Sequence, residues 1–281
     1  MTAKEIYLVL QNLREIFDVA RLVDAGRTEV CRVSADGKMV REPLRCYEVW
    51  KKEQRCINCI SAKVCPQHNR IEKYEFVDDE VYHITSKLVE VEGESFALEI
   101  VSKTSDDTLF EAYGKETFME TIQNMNRKMY VDAMTEAYNR RYYDEQIMLW
   151  KDFTALAIVD VDHFKEVNDT FGHSIGDEAL KAIAEVLKMH IRSQDAVIRY
   201  GGDEFLMVYT DITKEAFALR IEETRESIAK ICLEHCPELK LTVTIGGVYV
   251  TAVPEHEKMF EQADRLLYKA KAERNKVELL L

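Results

Sequence analysis

Residues Arg199-Tyr200-Gly201-Gly202-Asp203-Glu204-Phe205 place two glycines and two adjacent carboxylates between two apolar runs, 196–198 and 205–209. Two β-type runs joined by so short a stretch predict a hairpin, and glycine supplies the positive φ that a tight turn requires. A turn that begins without side chains also lets the phosphates or the base of a ligand approach the backbone. Because the neighbouring carboxylates would repel a phosphate unless a divalent cation lay between them, the stretch predicts a metal–nucleotide site.

Length, composition and charge restrict the classes of protein to which the chain can belong. The chain has 281 residues, of which 47% are hydrophobic and 32% charged, enough for two domains with their own cores. Its formal charge of −13 argues against a general nucleic-acid-binding protein, which needs a basic face, but allows a nucleotide ligand. We expect a cytoplasmic protein without a membrane partner. No run approaches the roughly 20 apolar residues of a membrane span, and charged residues interrupt the N-terminus.

The first hundred residues predict a small α+β module. The predicted elements are a helix within 1–17 and strands at 28–33, 81–88 and 89–101, the last being a strand pair that turns near Glu92-Gly93. A cysteine-rich, irregular stretch lies between the early and the late strands. This layout of central helices, a late β-hairpin and an exit helix loosely resembles a PAS sensor domain.

Residues 107–132 predict a helix that connects this module to the rest of the chain. Phe118, Ile122, Met125 and Met129 are spaced by four, three and four residues, which makes an apolar seam of two heptads. Such a seam suits a short parallel helix pair between two protomers, so we expect a homodimer. The alternative is an amphipathic helix that lies on its own domain.

From about residue 133 onward, helical and strand patterns alternate. Strands are predicted at 154–160 and 241–250, a hairpin at 198–209, and helices at 177–191, 214–232 and 257–272. The chain is therefore expected to be an α+β protein in three parts. These parts are a cysteine-rich sensor domain at 1–106, a helical linker at 107–132 and a larger domain at 133–281.

Several further motifs follow the spacing of a known family. In chain order they are Asp160-Val161-Asp162-His163-Phe164-Lys165, Asn168-Asp169, Phe171-Gly172-His173, Gly176-Asp177 and the 199–205 stretch. Together they resemble the GGDEF domain of diguanylate cyclases over about residues 132–277. The resemblance implies a fold similar to the palm of nucleotidyl cyclases, a central antiparallel sheet wrapped by helices. It also implies an activity that joins two GTP molecules into cyclic di-GMP with release of two pyrophosphates.

The implied reaction requires charge neutralisation. The 3′-hydroxyl of one GTP attacks the α-phosphate of the other, and such phosphoryl transfer depends on positioning and typically on two metal ions. By the resemblance, two Mg²⁺ ions per active site are held by Asp160, the Val161 backbone, Asp203 and Glu204. Asp203 and Glu204 also belong to the implied catalytic set, together with Lys165, which resembles a phosphate contact of the family.

The resemblance assigns the substrate contacts as well. Asn168 and Asp177 would recognise guanine, with Asp177 accepting N–H bonds from the N1 and N2 edge of the base. An N-cap of the next helix is an alternative role for Asp177. The other implied substrate contacts are Phe164, Gly201, Gly202, Lys271 and Arg274.

Arg192 and Asp195 form an Arg-x-x-Asp motif, with five residues between Asp195 and Gly201. This placement matches the inhibitory product site of the family. The resemblance therefore implies that cyclic di-GMP is a feedback ligand as well as the product. A surface ion pair is the alternative interpretation of the motif.

Two positions depart from the family pattern. Glu136 replaces a glycine in the loop that leads into the domain, ahead of the Asn139-Arg140-Arg141 run. Residues 272–275 are one residue shorter than the usual run and lack its glycine, which leaves the role of Arg274 open. Neither departure removes an implied metal ligand.

Four cysteines fall within twenty residues: Cys46, Cys56, Cys59 and Cys65. Thiolates three positions apart in a C-x-x-C pair can face one tetrahedral ion, so Zn²⁺ or an iron–sulfur cluster is one expectation. His68 or His83 would be a substitute ligand for one cysteine. Reversible thiol–disulfide chemistry and inert burial are the alternatives.

We therefore expect a diguanylate cyclase that uses GTP and is controlled by an N-terminal sensor. The rival interpretation is a catalytically silent GGDEF domain that binds GTP or cyclic di-GMP as a regulatory module. Silent versions usually lose their metal-binding and guanine-binding residues, whereas here Asp160, Asp203, Glu204, Asn168 and Asp177 are all present. A third possibility is an N-terminal region that drives assembly and senses nothing.

Overall fold

The computed structural model describes residues 1–104, 110, 114–252 and 255–281. The chain forms two compact units, Met1–Met129 with Glu145–Trp150, and Tyr130–Asp144 with Lys151–Leu281. Residues 105–109 and 111–113, where the predicted sensor domain meets the predicted linker, lie outside the described residues.

The first unit is built on a six-stranded antiparallel sheet. Its strands are β1 (Val19–Asp24), β2 (Glu29–Val33), β3 (Met39–Arg45), β4 (Arg70–Val77), β5 (Glu80–Val91) and β6 (Glu94–Lys103). Its helices are α1 (Ala3–Arg14), α2 (Ile60–Lys63) and α3 (Lys115–Tyr130), with a short 3-10 turn at Glu48–Trp50. The strand order is β3-β2-β1-β6-β5-β4, so the first and last strands pair in the centre and β4 lies at an edge.

Helix α1 covers one face of this sheet. It begins with a capping box, in which Thr2 accepts from the Glu5 amide and the Glu5 carboxylate accepts from the Thr2 amide at 2.7 Å. Ile6 and Leu10 are fully buried in a cluster that includes Leu22 of β1. The predicted N-terminal helix is therefore confirmed.

The cysteine-rich stretch contributes to a second core cluster of the same unit. Val23 and Ala97 belong to this cluster, together with Cys46, Tyr47 and Val64. Since side chains of a strand alternate between faces, Val23 points away from the face on which its neighbour Leu22 meets α1. The cysteines therefore lie on the opposite side of the sheet from α1.

The late hairpin agrees with its predicted turn. Glu92 and Gly93 both have positive φ, 52° and 86°, and they join β5 to β6. Strand β5 is continuous from Glu80 to Val91, where the sequence suggested a break near residue 88. Strand β3 was not predicted, because it is largely exposed and contains Pro43, so it lacks an alternating apolar pattern.

Helix α3 corresponds to the predicted linker helix and lies mostly in the first unit. Phe118 packs edge-on against Tyr74 and Phe76 of β4, with ring centroids 5.1 and 6.4 Å apart. The first residue of the predicted seam is thus used within its own unit, as in the alternative interpretation. Met125, further along the helix, is 59% exposed.

The second unit contains a six-stranded sheet and helices. Its strands are β7 (Tyr138–Asn139), β8 (Phe153–Val161), β9 (Ala196–Arg199), β10 (Glu204–Thr210), β11 (Val243–Tyr249) and β12 (Val277–Leu280). Its helices are α4 (Arg140–Glu145), α5 (Phe164–Phe171), α6 (His173–Met189), α7 (Lys214–Ile228) and α8 (His256–Ala270). The order is β12-β11-β8-β10-β9-β7, and the pairs among β11, β8, β10 and β9 are antiparallel, which confirms the expected central antiparallel sheet.

Strand β8 lies at the centre of this sheet and is apolar on both faces. Ala157 and Val159 face the main core with Phe205, while Leu156 and Ile158 are buried as well. The predicted helices are confirmed with ends shifted by at most four residues. Strand β12 was not predicted, because four residues at the end of the chain give too short a pattern.

Asp162, just beyond β8, ties three segments together. Its buried carboxylate accepts hydrogen bonds from the hydroxyls of Thr242 and Thr244, at 2.9 and 2.6 Å, and from the Asn275 amide at 2.9 Å. The side chain therefore fixes β11 and the segment after α8 to the end of β8.

Replacing this acceptor should destabilise the unit strongly. We expect Asp162→Ala to lower the free energy of unfolding by about 3 kcal/mol, because three donors, among them the buried Thr244 hydroxyl, lose their acceptor. Urea unfolding in the absence of nucleotide measures the change. Asp169→Asn removes an exposed carboxylate and serves as the control, with an expected change below about 0.5 kcal/mol. Equal stability of the two variants would contradict the assignment.

The two departures from the family pattern share one backbone feature. Glu136 has φ 56°, and Arg274 and Asn275 have φ 55° and 43°. The Glu136 amide donates to the Asp132 carbonyl at 3.0 Å, which closes the loop ahead of β7. Non-glycine residues thus occupy left-handed conformations that favour glycine.

This conformation predicts a measurable strain at Glu136. Glu136→Gly should be more stable than Glu136→Ala by about 1 kcal/mol, because alanine keeps the left-handed penalty and glycine does not. Both variants remove the same side chain, so its own interactions cancel. The same pair of substitutions at Lys181, exposed within α6, should show the opposite sign by about 1 kcal/mol. Chemical denaturation of the four variants checks both signs.

Candidate active site

The hairpin forms as predicted, but its glycines have a different role from the expected one. The amides of Tyr200 and Gly201 donate to the Glu204 carbonyl at 2.9 and 3.2 Å. Neither Gly201 nor Gly202 has a positive φ, so the expectation that the turn needs glycine for its conformation is wrong. A Cβ on Gly201 would lie 3.0 Å from a Glu204 carboxylate oxygen, whereas one on Gly202 would meet no atom within 4 Å. The backbone is therefore open to a ligand at Gly202.

Three carboxylates meet where this hairpin pairs with β8. Glu204 lies directly opposite Asp160 in the β10–β8 register, and Asp203 occupies the turn, where its carbonyl accepts from the Val161 amide at 3.2 Å. Burial raises the pKa of Asp160, with further contributions from Asp203 and Asp162. Burial also raises the pKa of Glu204, and the charges of Asp160 and Asp203 add to it. The site thus concentrates negative charge in partly buried surroundings.

Lys271, the residue that ends α8, compensates part of this charge. Its ammonium donates to Asp160 and lies 3.5 Å from an oxygen of Asp162. Within the described ranges, no group of three or more His, Cys, Asp or Glu side chains is arranged as a metal site. The predicted metal ligand Asp160 is thus paired with an ammonium group.

A second feature of the site is a close approach between α5 and α6. The Asn168 side-chain oxygen is buried and has no hydrogen-bond partner among the described residues. A Cβ on Gly176 would lie 1.9 Å from this oxygen and 3.4 Å from the Phe164 ring. Gly176 therefore makes room for an acceptor that a ligand donor can satisfy, since an unpaired buried acceptor costs about 1–3 kcal/mol.

Asp177 follows Gly176 on α6 and is exposed. Helix α6 begins at His173 with Gly172 as its N-cap, so the alternative role of Asp177 as an N-cap is wrong. The structure places Asp177 one residue after the glycine that faces Asn168. The predicted guanine-binding pair therefore lies on adjoining helices.

The remaining predicted phosphate contacts are both exposed. Lys165 lies in the first turn of α5, and Arg274 follows α8 in the left-handed conformation noted above. Lys271 is the member of this set that contacts the carboxylates.

The Arg192–Asp195 motif is an ion pair that also serves the fold. The Asp195 carboxylate is completely buried and accepts from the backbone amides of Arg192 and Thr210, at 3.0 and 2.9 Å. The Arg192 guanidinium donates to Asp195 and to the Thr210 carbonyl, and its side chain remains 42% exposed. The ion pair of the alternative interpretation is present, while an edge of the guanidinium stays accessible.

The four clustered cysteines are all free thiols. Cys46 is buried, and burial raises its pKa, with Glu99 and the sulfurs of Cys59 and Cys56 adding to the effect. Cys56 and Cys59 pack against the same core cluster as Cys46.

The expected Zn²⁺ or iron–sulfur site finds no matching arrangement among the described residues. Cys65 is held in its own tight turn, where it exchanges two backbone hydrogen bonds with His68. His83 instead contacts Glu72 at 3.3 Å and lies against the Tyr74 ring. The His83 side chain is therefore engaged by Glu72 and Tyr74, and His68 adjoins Cys65 through its backbone.

Sequence reasoning gave no role to two residues that shape the site. Arg199 donates to the Gly202 carbonyl at 2.8 Å and to Asp132 at 3.1 Å, which fixes the turn from outside. Asp162 anchors the end of β8, as described above. The sequence did contain a signal for Asp162. Residues two apart along a strand share one face, and Asp160 was already assigned as a metal ligand.

A central antiparallel sheet with a carboxylate-bearing hairpin and a buried amide oxygen at Asn168 makes the second unit an α+β domain. The family model described as diguanylate cyclase, GGDEF domain, matches residues 129–276. The chain belongs to this GGDEF-domain diguanylate cyclase family.

Comparison with individual proteins agrees with this family. The chain is 34% identical over 159 residues to the probable diguanylate cyclase DgcC and 36% identical over 159 residues to the diguanylate cyclase DosC, both of Escherichia coli (strain K12). Each match covers 53% of this chain but only 42% and 35% of the two relatives, so it spans less than half of either protein. The coiled coil and GGDEF domain of DgcB from Caulobacter crescentus, solved in complex with c-di-GMP, is similar with a TM-score of 0.55 and 26% identity. That similarity covers 59% of this chain and 93% of the DgcB chain.

None of the helices in the described ranges combines the length and the apolar character needed to cross a membrane.

The contact between Gly176 and Asn168 can be tested directly. Gly176→Ala should lower stability by about 1–3 kcal/mol and reduce stabilisation by GTP, because the new methyl group must displace the Asn168 side chain. The expected sign is opposite to helix propensity, by which alanine is better than glycine by about 1 kcal/mol. Gly202→Ala, which meets no atom within 4 Å, is the control for stability. Urea unfolding and thermal unfolding with GTP provide the measurements, and a stabilised Gly176→Ala variant would disprove the contact.

Proposed function

We propose that this protein is a diguanylate cyclase that condenses two GTP molecules into cyclic di-GMP and two pyrophosphates. The observation that carries the proposal is the pairing of Glu204 opposite Asp160 on neighbouring strands, with Asp203 in the adjoining turn beside the open backbone at Gly202. Membership of the family supports it, as do relatives named diguanylate cyclases and the similarity to a DgcB structure in complex with c-di-GMP.

The donor set fits Mg²⁺. Carboxylate and carbonyl oxygens are the ligands that this ion prefers. Burial and then the neighbouring carboxylates raise the pKa values of Asp160 and Glu204, and a nearby cation would oppose both effects. Asp160, Asp203, Glu204 and the Val161 carbonyl would hold two ions per active site. Bound there, Mg²⁺ neutralises charge on the reacting phosphates.

The chain's own side chains would select and orient the substrate. Asp177 can accept two N–H bonds from the guanine edge, and the unpaired oxygen of Asn168 can accept another. The Phe164 ring lies close to Gly176 and would border the base. Binding guanine at this point would fix the position of the α-phosphate relative to the carboxylates.

Positive side chains would hold the triphosphate. Lys165 and Arg274 are exposed, so neither loses an internal ion pair when it meets a phosphate. Lys271 already lies among the carboxylates and can exchange Asp160 for a phosphate oxygen. Gly202 leaves the backbone of the turn accessible to a phosphate, and Gly201 precedes it in the same turn.

Each domain would bind one GTP, so catalysis requires two domains, and we propose a homodimer. The remaining seam residues of α3, Ile122, Met125 and Met129, would contribute to it. The domain limits proposed from the sequence are 1–106, 107–132 and 133–281. The central helical turns, the late β5–β6 hairpin and the exit helix α3 support a PAS-like sensor that controls the cyclase.

Cyclic di-GMP would also act as a feedback ligand at the Arg192–Asp195 motif. The exposed edge of the Arg192 guanidinium supplies donors for a guanine or a phosphate. Asp195 is engaged by backbone amides and would mainly hold Arg192 in place.

The rival function is a catalytically silent domain that binds nucleotides for regulation. Incubating the purified protein with GTP and Mg²⁺ and separating the products by chromatography distinguishes the two. Formation of cyclic di-GMP and pyrophosphate that disappears in Asp203→Ala supports the cyclase. Nucleotide binding without any product supports the silent domain.

Base recognition gives a quantitative prediction. Asp177→Asn should lower kcat/KM for GTP by about 100-fold, because an amide replaces a charged acceptor of two N–H bonds with a group that presents a donor. Steady-state kinetics with a pyrophosphate-release assay measures the change. Asp169→Asn, an exposed carboxylate beside Asn168, is the matched control and should leave kcat/KM nearly unchanged. An equal effect of both substitutions would argue for a general charge effect.

A further inference from the structure

We propose that Cys56 and Cys59 form a redox-active dithiol, and that helix α3 responds to its oxidation through the loop between the two cysteines. The inference rests on the proposed function only in assigning an output, since control of the cyclase would follow from a change in α3. The site itself lies within the first unit, and both sulfurs are half-buried and free.

The loop of the C-x-x-C pair contacts α3 directly. The Asn58 side-chain amide donates to Asn126 of α3 at 3.2 Å, and the Asn58 carbonyl accepts from the Lys73 ammonium at 3.0 Å. A disulfide between Cys56 and Cys59 would close a small ring that includes the Asn58 backbone. Because ring closure restricts that backbone, it changes the position from which Asn58 reaches Asn126.

Strand β4 provides a second connection. Side chains alternate along a strand, so Lys73 and Glu75 share one face while Tyr74 and Phe76 share the other. Lys73 binds the cysteine loop on the first face. Tyr74 and Phe76 pack against Phe118 of α3 on the second face. A shift of β4 caused by the loop therefore reaches α3 through aromatic packing.

The charges around Cys56 favour an anionic sulfur. Buried Glu75 accepts from both Lys52 and Lys73 at 2.5 Å, and the Lys52 ammonium lies 3.8 Å from the Cys56 sulfur. Two ammonium groups thus share one carboxylate. Their excess positive charge stabilises a thiolate and opposes the approach of a free metal cation, in keeping with the lack of a metal-binding arrangement among the described residues.

Burial of Cys56 makes the reaction of its thiol slow. It raises the pKa of Cys56 to about 11, against the opposing effects of Lys73 and Lys52. Most of the Cys56 thiol is therefore protonated near neutral pH, which disfavours fast reaction with peroxide and suits slow equilibration with a thiol–disulfide pool.

The oxidant we assign is a low-molecular-weight disulfide. One protein thiolate attacks a sulfur of the small disulfide and releases one small thiolate, giving a mixed disulfide. The second protein thiolate then attacks the protein sulfur of that mixed disulfide and releases the second small thiolate. Two electrons pass from the cysteine pair to the small disulfide, and the two protons of the cysteines end on the two released thiols.

The test uses the full chain equilibrated in buffers of increasing glutathione disulfide to glutathione ratio. Differential alkylation and peptide mass spectrometry should show a Cys56–Cys59 disulfide that is absent in Cys56→Ser and in Cys59→Ser. Cys232→Ser, which removes an exposed thiol elsewhere, is the matched control and should retain it. Amide hydrogen exchange over Lys115–Tyr130 should differ at least threefold between the reduced and oxidised protein.

Asn58→Ala separates chemistry from coupling. This variant should still form the disulfide but show a smaller change in α3, because only the backbone contact to Lys73 remains. The proposal is overturned by thiols that stay reduced at every ratio, by one equivalent of zinc released on denaturation, or by hydrogen exchange in α3 that does not depend on the disulfide. None of these measurements involves GTP, so a lack of cyclic di-GMP synthesis would refute the proposed function and leave this inference standing.

Discussion

Repulsion among carboxylates at the end of β8 is the constraint around which the second unit is built. A strand that is apolar on both faces emerges from the core at Asp160 and Asp162, two residues apart and therefore on one face. The hairpin adds Asp203 and Glu204 at the same place. The fold resolves the conflict unequally: Asp162 receives fixed hydroxyl and amide donors, whereas Asp160 depends on the ammonium of Lys271. Of these contacts, only the ion pair between Lys271 and Asp160 can be replaced by a contact of Asp160 with another cation.

Compensation is also incomplete at a neutral group, the buried side-chain oxygen of Asn168. Close packing of α5 on α6 is possible because Gly176 has no side chain, and it buries the Asn168 oxygen without an internal donor. A buried acceptor of this kind destabilises the free protein and is satisfied when a ligand donates to it. Asp160 lies near the end of β8, and Asn168 lies on the helix that follows this strand, so both costs fall in one part of the chain.

Local pattern was enough to predict the elements that position these groups. The apolar run of β8, the 198–209 hairpin and the helices α6, α7 and α8 all have a clear period, and the family motifs located the carboxylates. Long-range effects were not predictable in this way. Whether Gly201 needs a special φ depends on the whole turn, the partners of Asp195 come from Thr210 in another strand, and the cysteines converge without an arrangement that suits a metal. Strands β3 and β12 were missed because one is exposed and the other very short.

The two units place opposite signs of excess charge in partly buried surroundings. Around Asp160 several carboxylates share one nearby ammonium, so the site as a whole favours cations. Around Glu75 two ammonium groups share one carboxylate, so their charge partly offsets the burial that raises the pKa of neighbouring Cys56. In each case the fixed partners offset only part of the desolvation cost of the charged group. The charge that is left uncompensated favours a further group of opposite sign. The sign of this uncompensated charge distinguishes the two sites, because it is negative beside Asp160 and positive beside Glu75.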